Sequence, residues 1–173
     1  MDKTMQTIAG LMAVAARTAP KARGEDFIEI KIISGPETIK LGDDMINYGK
    51  ENGYTNFDRD GENVKSSDAV ILLSLKEATH LGLNCGACGF DTCSAMQKTV
   101  NKGPEFTGPI CAWRLVDLGI ALGSAVKTAS ILNADNRIMY RIGVIAIRNN
   151  LISGEVAIGI PLSATGKNIY FDR

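Results

Sequence analysis

All four cysteines of this 173-residue chain fall in one region, Cys85, Cys88, Cys93 and Cys111, in the spacing C-x2-C-x4-C-x17-C. Thiolate is a soft ligand that suits iron–sulfur clusters and zinc. Three ligands from one loop and a fourth from a remote return point can hold a four-iron four-sulfur cubane, which takes four cysteines. Structural zinc and disulfides are the alternatives. Zinc sites more often pair two C-x2-C units or mix Cys with His, whereas here the second gap is four residues and the last cysteine stands alone. Disulfides belong to oxidising compartments, and Met1-Asp2-Lys3-Thr4 lacks the basic region of a secretory leader. Gly86 and Gly89 fit a loop wrapped closely around a bulky group, because glycine accepts positive φ and lets backbone approach.

Other residues of chemical interest are few. His80 is the only histidine and sits five residues before Cys85. With four cysteines already completing a cluster, a satisfied or surface histidine is the simpler expectation. Trp113 follows Cys111 by two residues and would either shield the site from solvent or join the core. Arg17, Lys21 and Arg23 could meet an anionic phosphate, or form a solvated connector. No Walker loop, dinucleotide glycine fingerprint, H-E-x-x-H or nucleophile elbow is present.

The elements that must position the cysteines are predicted from periodicity and punctuation. Thr4 to Thr18 reads as a helix with Ile8, Leu11, Met12 and Ala15 on one face, ended by Ala19-Pro20. Phe27 to Ile33 alternates as a strand. Pro36 opens a helix that runs to Asn52, with Gly53 just past its end and Ile39, Leu41, Met45, Ile46 and Tyr48 inward. Asn56 to Ser67 is polar and reads as a surface loop. The apolar run in Asp68 to Leu75 predicts a central strand covered on both faces. Thr92 to Asn101 is expected to be a short helix carrying Cys93 at its positive end. Trp113 to Asn133 is the longest helix, with Leu115, Leu118, Leu122, Val126 and Ala129 as its buried stripe and Gly119/Gly123 permitting close approach. Asn136 to Asn149 leans to helix. Glu155 to Ile160 is a strand ended by Pro161, and the tail to Arg173 has no clear period.

The order of elements predicts an α+β or α/β fold, a layered sheet with packed helices. Residues 1–173 form a single domain in this reading, with 84–111 the cysteine-ligated segment inside it. A chain this long buries a core without cross-links. Nineteen basic and nineteen acidic residues balance, so there is no electrostatic footprint for nucleic acid or an anionic membrane. The longest apolar run, Ile8 to Ala16, is too short to span a bilayer. The expected location is cytoplasmic, where reducing conditions keep thiolates free for metal.

The run Cys85-Gly-Ala-Cys88-Gly-Phe-Asp-Thr-Cys93-Ser-Ala-Met, with Lys102-Gly103 and Cys111, resembles the small four-iron four-sulfur domain of anaerobic electron-transfer proteins. That domain occurs in an electron-transport complex subunit and in the corrinoid iron–sulfur protein of acetyl-CoA metabolism. The whole chain, through Lys167-Asn-Ile-Tyr-Phe-Asp-Arg173, looks like the ferredoxin-domain-containing proteins of anaerobes and archaea. Ala16 to Ala22 with Phe27 to Ile33, and Val156-Ala-Ile-Gly-Ile-Pro161, are similar to segments of the nitroreductase-like fold, although Lys3 is the only basic residue before Arg17. The first resemblance implies one-electron transfer through a 4Fe-4S cluster to an unknown redox partner. The second implies a flavin-dependent reductase whose FMN the cluster feeds, with Arg17, Lys21 and Arg23 at the flavin phosphate. A non-catalytic protein with structural zinc or a structural cluster is the third reading. The Gly119/Gly123 helix and the apolar tail residues Ile169, Tyr170 and Phe171 lead to the expectation of a homodimer.

Overall fold

The computed structural model describes residues 2–171, so Asp172 and Arg173 of the tail lie outside the described residues. In chain order the elements are α1 (Asp2–Thr18), a 3-10 turn (Ala22–Gly24), β1 (Ile28–Ser34), α2 (Pro36–Asn52), α3 (Phe57–Lys65), β2 (Ala69–Leu75), α4 (Cys93–Lys98), β3 (Asn101–Lys102), β4 (Thr107–Gly108), α5 (Ala112–Ile131), β5 (Asp135–Asn136), α6 (Tyr140–Arg148) and β6 (Val156–Ser163). Four strands make one antiparallel sheet in the order β1-β2-β6-β5, and β3 and β4 form a separate small hairpin.

Helices cover both faces of the sheet, which makes the fold α+β in three layers. Every residue of β2 is buried. Its Ala69, Ile71, Leu73 and Leu75 join a core with Ile8, Met12 and Ala16 of α1 and Leu118, Ala121 and Ala125 of α5. Its Val70 and Leu72 point the other way, into a core with Leu41 and Met45 of α2, Phe57 and Val64 of α3, and Ile142 and Ile145 of α6. The alternation is the period-two geometry of a strand sandwiched between layers. Helix α6 seats on β6 through two glycines. A Cβ on Gly143 would stand 1.7 Å from the Ala157 carbonyl oxygen, and one on Gly159 would stand 2.1 Å from Ile142 Cγ2.

Several expectations change. Residues 57–65 are a helix and not a loop: Phe57, Asp60, Gly61 and Val64 are buried at i, i+3, i+4 and i+7. Helix α1 buries Met5, Ile8, Ala9, Met12 and Ala16, while Leu11 is exposed and Ala15 only half-buried. In α2 the inward residues are Leu41, Met45 and Tyr48, and Ile39 is exposed. In α5 Leu118, Leu122 and Ala129 are inward but Leu115 is exposed. Strand β6 continues through Pro161, paired opposite Val70. Leu162 directs its carbonyl to Asp68 on the β2 side. By the alternation of the strand, the nitrogen of Pro161 faces the β5 side, opposite Arg137, where it has no N–H to donate and the ladder is interrupted between the Asn136–Leu162 pair and the Met139–Gly159 bridge. In the tail, Tyr170 is buried in its own chain, its hydroxyl 2.9 Å from Ser67 Oγ, so of the apolar residues Ile169, Tyr170 and Phe171 only Phe171 stays exposed.

Candidate metal centre

The chain leaves β2 at Leu75 and enters a loop that carries three of the cysteines. Asn84 adopts positive φ (48°), which asparagine tolerates better than most residues. Its side-chain oxygen accepts the Cys93 backbone N–H at 2.8 Å, and its own N–H donates to Cys93 Sγ at 3.4 Å. Gly86 (φ 74°) and Gly89 (φ 85°) make the tight reversal between Cys85 and Cys93, closed by Gly89 N–H donating to the Gly86 carbonyl at 2.9 Å. Thr92 caps α4 by accepting the Ala95 N–H at 3.1 Å, which places Cys93 as the first helical residue. The β3–β4 hairpin then returns the chain to Cys111, the N-cap of the 20-residue α5.

All four cysteines line one cavity, together with Leu81, Phe90, Met96 and Trp113. None is in a disulfide; Cys85 is exposed, Cys88 and Cys93 are half-buried and Cys111 is buried. The cavity encloses about 10 Å³, so the loop has to open to admit anything larger than a water molecule. Among the described residues no group of three His, Cys, Asp or Glu side chains already stands in metal-binding geometry. The donor set nevertheless suits a soft metal or an iron–sulfur cluster: four unpaired thiols, gathered by two helix starts and two glycine turns. The Ala87 backbone N–H, together with the Trp113 indole N–H that donates to Cys85 Sγ at 3.3 Å, holds the Cys85 thiol below its ordinary pKa. The N-terminus of α5 contributes a partial positive charge beside Cys111.

Trp113 thus lines the cysteine cavity and does not join the core. It is 42% exposed, and its polar edge serves a thiol. His80 is the satisfied histidine that was expected: Nδ1 accepts the Gly82 N–H at 3.0 Å, and Nε2 meets Gln97 Oε1 at 3.1 Å. The sequence reading missed Arg114. It is fully buried, stacks over Phe27 at 4.6 Å, and donates to the Thr79 carbonyl (2.8 Å), the Ala22 carbonyl (3.1 Å), Asp117 Oδ2 (3.2 Å) and Glu25. It ties the start of α5, and with it Cys111, to the loop that leads to Cys85. Asn84 was also missed, though an asparagine directly before a cysteine loop is a local signal for a left-handed turn.

Of the three basic residues of the connector, Arg17 borders a cavity between α1 and β1 with Val14, Thr18, Ile30 and Ile32, a lining that does not include Lys21 or Arg23. Arg17 donates to Asp26 Oδ2 at 2.5 Å and to the Ile28 carbonyl at 2.7 Å. Lys21 Nζ closes the C-terminus of α1 by donating to the carbonyls of Ala16, Arg17 and Ala19 at 2.8–3.0 Å. Arg23 lies in the 3-10 turn at φ 61°.

Comparison with known proteins accords with this geometry. Residues 82–105 match the family model described as "Putative Fe-S cluster", and residues 107–173 match the one described as "Uncharacterized protein containing a ferredoxin domain". A protein of Archaeoglobus fulgidus named only "Uncharacterized protein" is 50% identical over 163 residues, 94% of this chain and 88% of its own. The fold is that of nitroreductase-like flavoproteins. An FMN-dependent nitroreductase of Mycobacterium smegmatis, solved with NADPH, superposes with a TM-score of 0.62 at 10% identity, covering 95% of this chain and 80% of that one. A nitroreductase of Lactococcus lactis, solved with nicotinic acid, gives 0.59 at 16% identity, covering 96% and 84%. An oxidoreductase containing FMN gives 0.55 at 11% identity; the match takes in 91% of this chain but only 66% of that one. With half its residues identical to the archaeal protein and its C-terminal portion matching the family model, the chain belongs to the family of proteins containing a ferredoxin domain.

Proposed function

We propose that the chain holds one four-iron four-sulfur cluster on Cys85, Cys88, Cys93 and Cys111 and uses it for one-electron transfer with a redox partner. The observation that carries this reading is that four thiols from three separate segments line one cavity. The cluster would supply the electron chemistry. The chain supplies four thiolates and, through the N–H groups of Asn84 and Trp113, hydrogen bonds to two of the sulfurs. Such bonds raise a cluster's reduction potential by stabilising its more negative state. Anaerobic purification tests the reading: iron and acid-labile sulfide at about four each per chain are expected, and a single zinc with no sulfide overturns it. The reducing cytoplasm is the compartment that suits these free thiols. No helix of the described residues is long and apolar enough to cross a membrane.

A second reading, favoured by the fold, adds FMN fed by the cluster. Arg17, Lys21 and Arg23 would meet its phosphate. Because Arg17 and Lys21 already hold internal acceptors, a phosphate would have to compete with Asp26 and three carbonyls. Titration of cluster-loaded protein with FMN decides: saturable fluorescence quenching lost in an Arg17→Ala/Arg23→Ala variant supports the flavin, and no quenching up to millimolar FMN excludes it. A homodimer built on α5 completes the proposal.

A further inference from the structure

A second cavity, of about 350 Å³, lies against the cysteine loop, with Glu77, His80, Met96, Val100, Ile110 and Glu155 in its walls. That volume suits a small molecule. Met96 also lines the cysteine cavity and is 6% exposed, so one side chain's thickness separates the two spaces.

The lining has a definite polarity. It contains no lysine or arginine. Both nitrogens of the His80 ring are engaged, Nδ1 accepting from the Gly82 N–H and Nε2 meeting Gln97. Two acidic residues line the space, Glu77 and Glu155. Glu155 Oε1 accepts the Glu77 N–H at 3.0 Å, while Oε2 is sealed from solvent with no donor. A carboxylate oxygen left without a partner in a dry wall is costly, and its field reaches into the adjoining cavity. The rest of the wall is uncharged, mixing Met96, Val100 (72% exposed) and Ile110 with the neutral polar side chains of Gln97, Thr99 and Thr107. An anion is repelled here, and a cation with an apolar body is favoured.

We propose that this cavity binds a small, positively charged one-electron carrier that exchanges its electron with the cluster across Met96. The proposal rests on the cluster reading above. In the step, the reduced carrier loses one electron and the oxidised cluster gains it; no bond forms or breaks and no proton moves.

The experiment uses anaerobically purified full-length protein and two carriers, the dication methyl viologen and the dianion anthraquinone-2,6-disulfonate. Equilibrium dialysis is expected to show saturable binding of methyl viologen only, and stopped-flow reduction of the cluster by the viologen radical to saturate with a similar constant. Removing one charge a few ångströms away should weaken viologen binding about three- to tenfold in Glu155→Gln, and Val100→Trp, which adds bulk at an exposed position of the lining, should abolish it. Both variants should keep their iron and sulfide. Equal affinity for the two carriers, or an unchanged binding constant in Glu155→Gln, overturns the proposal. Viologen binding that persists in protein devoid of iron and sulfide upholds the cavity and removes the cluster, so the two readings fail separately.

Discussion

Cys111 is 7% exposed, caps the longest helix, and meets the other three cysteines only because β3 and β4 fold back. If all four thiols ligate, Cys88→Ser and Cys111→Ser should each lose most of the iron, sulfide and visible absorption, since alkoxide is a poor substitute for thiolate. Unchanged iron in both variants would remove them as ligands. Trp113→Phe makes a finer test, because it deletes the N–H aimed at Cys85 Sγ while keeping the ring. Iron content should stay, and the midpoint potential measured by voltammetry should fall; a potential that does not move assigns Trp113 to packing. The convergence of the four cysteines on one cavity was legible in the sequence because their residue type and spacing suit a shared site. Arg114 was not. An arginine in an amphipathic helix reads as solvent-facing, and only the fold reveals that Phe27, Glu25, Asp117 and two carbonyls surround it.

At the scale of elements, long periodic segments were legible and marginal ones were not. The run that became β2 is apolar at almost every position, which admits few readings. Helix α3 was hidden because Asp60 and Gly61, two of its four buried residues, look like loop residues. Gly61 is there because α2 passes so close that a Cβ would stand 2.7 Å from the Gly42 carbonyl oxygen, a constraint no local pattern carries. The same logic predicts that Gly143→Ala is severe. Its methyl would collide with backbone of β6, which cannot rotate away, so a loss of about 3 kcal/mol or failure to fold is expected in denaturant titration. A loss under about 0.5 kcal/mol would mean that α6 sits farther from the sheet. The tail makes a separate prediction. Burial, which outweighs the hydrogen bond with Ser67, pushes the Tyr170 hydroxyl up to about 12 from the usual tyrosine value of about 10. As pH rises through that interval the unfolded tyrosine releases its proton and the folded one does not. Stability is therefore complete below 10 and falls towards 12. Tyr170→Phe should flatten that alkaline decline in thermal melts, and an identical decline would show the tail undocked in solution.

At the scale of the whole molecule, α5 leaves an apolar face uncovered. Trp113, Val116 and Ile120 are 42%, 47% and 38% exposed, follow one another at i, i+3 and i+7, and lead on to Ile131 at 69%. Gly119 and Gly123 lie among them, exposed, with nothing within 4 Å of where a Cβ would stand. A soluble monomer gains nothing from glycines in the middle of its longest helix, each costing about 1 kcal/mol of helix propensity. A second copy does gain, because two such helices can approach backbone to backbone and bury the apolar row on both sides. The tail was expected to contribute to the pairing, but Tyr170 is already used within the chain, which leaves the helix as the main contact. Light scattering at micromolar protein should therefore give the mass of two chains, and Ile120→Asp should give one, since a carboxylate at the centre of such a contact is buried without a partner. Because Trp113 both begins the exposed row and touches Cys85, the contact would also cover the open flank of the cysteine loop. The Ile120→Asp monomer is accordingly expected to lose its visible absorption in air faster than the wild type, with equal iron before exposure. A wild type that is already monomeric at micromolar concentration, or a variant as durable in air as the parent, would separate α5 from any role in assembly or in guarding the site.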